Sequence, residues 1–288
     1  MQKISIVVPV FNEQDSLNLT ISQLEGLVQR NEFDFDIIII NDCSTDRCYE
    51  MLESNANPSI KVIHHKTNRG YGAAVKTGIA ASSAPYVCIT DADGTYPTNE
   101  INTLASYIKD DYSMIVGART GEVVRIPLLR KFPKWILNKI ANYLTEKEIP
   151  DINSGLRIMK KKDVERFFKI LPDGFSFTTT ITLAMLTNNL PVHFHPINYY
   201  QRKGKSKIKP FYDTLNFLQL IIRTVMYFNP LKVFIPLSCI LIASAILVFL
   251  ASWLFLGRVM DVTFGVIMMA AIIVLAIGML ADLIDKRM

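Results

Sequence analysis

Tyr86-Val87-Cys88-Ile89-Thr90-Asp91-Ala92-Asp93-Gly94-Thr95-Tyr96-Pro97 is the stretch on which the reading of the fold turns. A run of β-formers leads into two carboxylates one residue apart, and Gly94 and Pro97 then end the strand. Open α/β sheets hold their ligands at the carboxyl ends of strands. Asp91 and Asp93 placed there can bind Mg²⁺ or Mn²⁺ while a substrate diphosphate fills other coordination positions. Acidic residues in ordinary turns also produce a bare Asp-x-Asp, so the neighbouring segments have to decide between a site and a turn.

Upstream, the apolar run Ile4 to Val8 closes at Pro9, and Asn12-Glu13 precedes an amphipathic helical pattern from about Gln14 to Gln29. Such a strand-to-helix junction can hold a nucleotide. A second strand, Asp36 to Ile40, ends at Asn41-Asp42-Cys43-Ser44-Thr45-Asp46. Ser44 or Thr45 can cap the next helix, and Asp42 either accepts hydrogen bonds from a ribose or base or serves as a turn former. A third strand, Ile60 to His64, leads to Asn68-Arg69-Gly70-Tyr71-Gly72-Ala73-Ala74 and a small-residue helix reaching about Ala81. Gly70 and Gly72 meet neither the Walker spacing nor the dinucleotide fingerprint, so they are read as permitting a tight turn and close helix packing. His64 and His65 have no further ligand at metal spacing; one of the pair is expected to point inward.

Downstream, helix Thr98 to Ile108 and strand Ser113 to Val116 continue the alternation expected of a mostly parallel α/β sheet. Gly117-Ala118-Arg119 puts a cation at the same edge as the carboxylates. The turn entering a strand at Asn153 to Lys160 adds Arg157, and helices near Lys161 to Lys169 and Thr178 to Asn188 precede a strand from Val192 to Tyr199. Between these, Arg125, Arg130, Lys131, Lys134 and Lys139 interleave with Ile126, Leu128, Leu129, Phe132, Trp135, Ile136 and Ile140. This basic amphipathic stretch suits a membrane interface, the alternative being a solvated helix over the core.

The hydrophobic fraction of 50% over 288 residues is high for a soluble protein and is unevenly spread. Leu231 to Gly257 and Val262 to Ile284 are almost uncharged, and each is long enough to cross a hydrocarbon core of about 30 Å. The expected organisation is an α/β domain over residues 1–210, an interfacial amphipathic helix over 211–229, and two transmembrane helices over 230–288. No signal peptide is read at Met1 to Val8, so the first domain is expected in the cytosol. Arg202, Lys203, Lys205, Lys207, Lys209, Arg223 and Lys232 before the hairpin, and Lys286 and Arg287 after it, place both ends on the cytoplasmic face and Gly257 to Asp261 outside. Cys43, Cys48, Cys88 and Cys239 lack zinc-site spacing and fit a reducing compartment. The net charge of +5, clustered toward the membrane side, favours anionic headgroups or a phosphorylated lipid as partner. No nucleic-acid-binding signature accompanies it, and the hairpin leaves a homo-oligomer open.

Taken together, Pro9-Val10-Phe11-Asn12-Glu13, Asn41-Asp42-Cys43-Ser44-Thr45-Asp46, Asp91-Ala92-Asp93, Gly117-Ala118-Arg119 and Ser154-Gly155-Leu156-Arg157 resemble glycosyltransferase family 2. With Arg202-Lys203-Gly204-Lys205-Ser206-Lys207 followed by two spans, the chain resembles the membrane-anchored polyprenyl-phosphate glycosyltransferases, the group containing dolichyl-phosphate mannose synthase. The resemblance implies a GT-A fold and transfer of a sugar from a UDP or GDP sugar to undecaprenyl or dolichyl phosphate. It implies that Pro9, Phe11, Asn12 and Glu13 line the donor site, and that Ile40 and Asp42 meet base and ribose. Asp91, Ala92 and Asp93 would hold the donor, with Asp91 and Asp93 as catalytic residues and metal ligands. Arg119, Arg157, Arg202 and Lys207 would meet phosphates of donor or acceptor, with Lys203 an alternative to Arg202. Thr95, the candidate third metal ligand, stands where the mannose synthases carry a Gln near the metal, so the third ligand and the sugar stay open. Transfer to a non-phosphate acceptor, and a non-catalytic nucleotide-binding scaffold, are the rival expectations.

Overall fold

The computed structural model describes residues 2–30, 32–55, 57–122, 139, 141–143, 145–174, 176–200, 226, 230–257 and 260–285. The chain divides into two compact units, Met1–Leu218 and Gln219–Met288. The basic stretch over 125–140 and the helix expected over 211–229 lie outside the described residues, apart from Lys139 and Met226.

The first unit is built on a seven-stranded sheet: β1 (Lys3–Val10), β2 (Asp34–Asn41), β3 (Ile60–His64), β4 (Tyr86–Ile89), β5 (Met114–Ala118), β6 (Arg157–Lys160) and β7 (Val192–Pro196). Their order across the sheet is β3-β2-β1-β4-β6-β5-β7. The β1–β2, β1–β4, β2–β3 and β5–β7 pairings are parallel, whereas β6 runs antiparallel between β4 and β5. The mostly parallel sheet read from the β/α alternation therefore carries one reversed strand. Its insertion brings the start of β6 to the edge where β1, β2, β4 and β5 end. Near-continuous apolar strands suit such a sheet because both faces are covered, and Ile4, Ile6, Val7, Ile37, Ile38, Ile39 and Ile40 are all buried.

The covering helices are α1 (Leu17–Gln29), α2 (Cys48–Glu53), α3 (Tyr71–Ala81), α4 (Glu100–Ser106), α5 (Lys161–Glu165) and α6 (Phe177–Thr187). In α1 the buried Leu17, Ile21, Leu24 and Leu27 recur at helical spacing and seal one face of the sheet. Several helices start later than the sequence pattern indicates. Residues 14–16 form a turn in which the Glu13 carbonyl accepts the Ser16 and Leu17 amides, so α1 begins at Leu17. Ser44 and Thr45 do not cap α2, because their hydroxyls engage Asn12 across the junction. The helix expected from Thr98 to Ile108 begins at Glu100 and tightens into a 3₁₀ turn over Tyr107–Asp110. Strand β7 ends at Pro196, which has no amide to donate.

The second unit contains α7 (Leu231–Leu256) and α8 (Asp261–Asp285). Both are long and apolar enough to cross a membrane by length and composition. They pack on each other, with the Ser238 hydroxyl donating to the Ala271 carbonyl at 2.9 Å. Gly257, at φ +61°, ends α7 in the left-handed conformation that favours glycine.

Candidate functional site

The strand order brings the tips of β1, β2, β4 and β5, and the turn entering β6, to one edge of the sheet. After β4 the Thr90 amide still donates to the Val7 carbonyl at 3.2 Å, and the chain then leaves the ladder as Asp91-Ala92-Asp93. Ala92 is buried, and its carbonyl accepts the hydroxyls of Ser16 at 2.8 Å and Thr20 at 3.1 Å from the α1 end. That anchor fixes the backbone between the two carboxylates.

Asp93, 8% exposed, has its Oδ1 engaged by the Thr95 hydroxyl at 2.6 Å and the Thr95 amide at 3.1 Å. Thr95 thus orients Asp93 through a donated proton. Asp91 is half-buried; its Oδ1 accepts the Tyr71 hydroxyl at 3.2 Å, and its carboxylate lies against the backbone of Gly155. A Cβ at Gly155 would stand 2.7 Å from Asp91 Oδ2. The Gly155 amide in turn donates to the Tyr96 hydroxyl at 2.6 Å. Burial, with Asp91 and Tyr96 nearby, holds the Tyr71 hydroxyl well above the ordinary tyrosine range, so it stays protonated as a donor.

Arg119 follows β5 and is clamped by the buried Asp151: Nε to Oδ2 at 2.6 Å, Nη2 to Oδ1 at 2.9 Å, and its own amide to Oδ2 at 3.0 Å. Its guanidinium lies 5.1 Å from the centre of the Tyr199 ring, which meets Tyr96 edge-on at 5.2 Å. Burial works against the Arg119 charge, but Tyr96 and Asp151 outweigh it and the group is held well above its usual range.

Other expected site residues are placed differently. The Asp42 carboxylate accepts the Arg69 amide at 2.9 Å, the Gly70 amide at 2.7 Å and a contact from His65 Nδ1 at 2.7 Å. It closes the Asn68–Gly70 loop rather than standing open to a ribose. Ile40 is wholly buried, in a cluster with Ile38 and Ala74, so its side chain is not exposed to a base. Arg157 enters β6 at the right edge, yet it is 0% exposed and donates inward to the Ser154 and Thr178 carbonyls and the Thr182 hydroxyl. Its guanidinium therefore serves the interior and not a phosphate at the edge; burial lowers its pKa to about 10. Pro9 pairs with Ile40, while Phe11 and Glu13 are half-buried beyond the end of β1. Asn12 adopts φ +55° and accepts the Thr45 amide at 2.7 Å, locking the β1 and β2 tips together. Of the two histidines it is His65 that turns inward, bridging Asp42 and Thr77. Arg202 and Lys207 lie outside the described residues.

Sequence reasoning missed Tyr71, Tyr96, Asp151 and Tyr199. Only Asp151, an acid in a Pro-Asp turn, carried any local signal, and that signal reads as a turn. Among the described residues no three His, Cys, Asp or Glu side chains converge as a metal cluster. Asp91 and Asp93 nonetheless fit a hard divalent ion of the Mg²⁺ or Mn²⁺ type, which takes one or two carboxylates and completes its shell with phosphate oxygens and water.

The chain matches the family described as Glycosyl transferase family 2 over residues 5–168, more than half its length. It is 26% identical to dolichyl-phosphate beta-glucosyltransferase of Dictyostelium discoideum, covering 76% of this chain and 73% of that protein. It is 30% identical to undecaprenyl-phosphate 4-deoxy-4-formamido-L-arabinose transferase of Yersinia enterocolitica over 62% of this chain, which spans 58% of that relative. Among solved structures, glucosyl-3-phosphoglycerate synthase of Mycobacterium tuberculosis, in complex with Mn²⁺, UDP and glucosyl-3-phosphoglycerate, superposes with a TM-score of 0.60 at 16% identity. The superposition covers 78% of this chain and 79% of that one, a likeness of fold.

Proposed function

This chain belongs to glycosyl transferase family 2 and is a glycosyltransferase, and from that premise we propose that it moves a sugar from a nucleotide sugar onto a polyprenyl phosphate at a membrane surface. Its mixed sheet is of the GT-A kind. The observation that carries the proposal is the presence on one chain of the Asp91/Asp93 pair at the sheet edge and of two helices long and apolar enough to span a bilayer. A water-insoluble acceptor requires its transferase at the bilayer. The Dictyostelium and Yersinia relatives are both named for polyprenyl-phosphate acceptors, which supports the same acceptor class here. The catalytic domain is assigned to the cytoplasmic face on the basic residues that flank the apolar helices.

Asp91 and Asp93 would hold a divalent ion together with the donor diphosphate. When bound, Mg²⁺ or Mn²⁺ supplies neutralisation of the charge that develops on the departing diphosphate. Pro9, Phe11, Asn12 and Glu13 border the donor from the β1 tip. Arg119, held in one direction by Asp151, and Arg202 and Lys207 in the basic stretch present cations to phosphate, turning an encounter of two anions into a bound pair. An acceptor phosphate is already ionised near neutral pH, so attack needs no protein base, and a single displacement inverts the anomeric centre.

The test is incubation of membranes carrying the protein with a panel of UDP and GDP sugars and with undecaprenyl or dolichyl phosphate, Mn²⁺ and Mg²⁺ compared. A glycosyl phospholipid identified by mass, with inverted anomeric configuration, is expected. Transfer only to a glycan or other non-phosphate acceptor overturns the acceptor class, and a retained configuration overturns the single displacement.

A further inference from the structure

Tyr71 is the first residue of α3, and the backbone on both sides of it is tied to loops from elsewhere in the chain. Before it, Arg69 and Gly70 donate their amides to Asp42 at 2.9 and 2.7 Å. Gly70 holds φ +95°, and a Cβ there would stand 2.6 Å from the Asp173 carbonyl oxygen. After it, the Ala73 amide donates to the same Asp173 carbonyl at 3.0 Å. So fixed, the ring delivers its hydroxyl to Asp91 Oδ1 at 3.2 Å. From the other side the Gly155 backbone, held by Tyr96, leaves the Asp91 carboxylate room that no Cβ would allow. The arrangement parallels the Thr95 hydroxyl on Asp93 Oδ1, with the difference that Thr95 acts within its own turn and Tyr71 reaches across the fold.

We propose that Tyr71 is a positioning residue for the divalent ion, acting through Asp91 by fixing the orientation of its carboxylate. The proposal rests on the reading that Asp91 and Asp93 hold that ion. A carboxylate with a hydroxyl bound to one oxygen cannot swing freely about its terminal torsion, so the direction of its remaining lone pairs is set before the ion arrives. Outer-shell partners of this kind change metal affinity by about 10–100-fold.

The test uses the purified full-length protein in detergent, with Mn²⁺ titrated against the electron paramagnetic resonance signal of free aqueous Mn²⁺, in the presence of UDP and, separately, GDP. Tyr71→Phe keeps the ring and deletes the hydroxyl, and Asp91→Asn serves as the anchor. Asp91→Asn is expected to lose binding. Tyr71→Phe is expected to raise the Mn²⁺ dissociation constant about 10-fold, with an unchanged melting temperature in the absence of Mn²⁺. The Mn²⁺ concentration for half-maximal transfer should rise in parallel while the rate at saturating Mn²⁺ is kept, a split that general loosening of the fold would not produce. Tyr71→Leu, which removes ring and hydroxyl together, is read in the same way if the Phe variant does not fold. Wild-type affinity in the Tyr71 variant alongside loss in Asp91→Asn overturns the role of Tyr71 and leaves the ion on Asp91. Wild-type affinity in Asp91→Asn, or no binding by the unaltered protein with either nucleotide, overturns the ion assignment and the Tyr71 role with it.

Discussion

Asp93 and Arg157 both sit at the carboxyl edge of the sheet, and their surroundings give them opposite mutational signatures. Asp93 faces the edge with one oxygen held by Thr95, so Asp93→Asn should leave the fold intact. If Asp93 holds the ion, weakened coordination should lower transfer on the order of 100-fold, about 2.7 kcal/mol of transition-state stabilisation, checked by initial rates at saturating donor. Arg157 is 0% exposed and its donors go to the Ser154 and Thr178 carbonyls and the Thr182 hydroxyl. A lysine cannot reproduce that fork, and Arg157→Lys is expected to cost roughly 3 kcal/mol of stability. A thermal melt reads that loss, and the KM for the lipid acceptor in the folded fraction should not move. The two aspartates were legible because a β-run broken by Gly94 and Pro97 announces a strand tip. The inward turn of Arg157 was not, since its outward or inward choice depends on α6, more than 20 residues along the chain. Tyr71 and Asp151 escaped for the same reason, their partners being 20 and 32 residues away.

At the scale of elements, the β1–α1 and β2–α2 junctions are one structure rather than two. Asn12 exchanges hydrogen bonds with Ser44 and Thr45, and Asp46 accepts the Gln14 amide at 3.1 Å and the Cys48 amide at 3.0 Å. This interlock explains why α1 and α2 begin later than local capping rules indicate: the capping residues are spent across the junction. Partial burial works to raise the Asp46 pKa, but the hydrogen bonds from Cys48 and Gln14 prevail and lower it below its ordinary value. A carboxyl depressed in the folded state contributes stability above its unfolded pKa of about 3.9, and that contribution is lost as pH falls through the folded value. Asp46→Ala should therefore lower the melting temperature most at neutral pH. The gap to the unaltered protein should close as pH falls below about 4, as read by melts across a pH series. The strands β1, β2, β4 and β5 were legible because their apolar runs are buried on both faces. The reversal of β6 was not, since no local pattern distinguishes an antiparallel strand buried between two neighbours from a parallel one.

For the whole molecule, the decisive feature is where apolar surface remains after each unit has folded. Among the described residues the sheet unit buries most of its isoleucines and leucines, whereas α7 and α8 pack on one another and still present Leu254, Val262, Val266 and Leu280 outward. Apolar surface of this extent marks a face for a lipid environment or another apolar partner. The two apolar helices were legible to within a residue because composition and length alone define them, without any tertiary contact. Ile240 and Leu247 lie seven residues apart on one outward face of α7, 65% and 67% exposed. Replacing both by arginine should cost roughly 5–7 kcal/mol if that face meets hydrocarbon, since each charge near a span centre costs about 2.5–3.5 kcal/mol. The double variant is then expected to leave the carbonate-resistant membrane fraction that holds the unaltered protein. If the face met water, two arginines would be neutral or would improve solubility. Equal membrane retention of both forms would refute burial of this face in lipid.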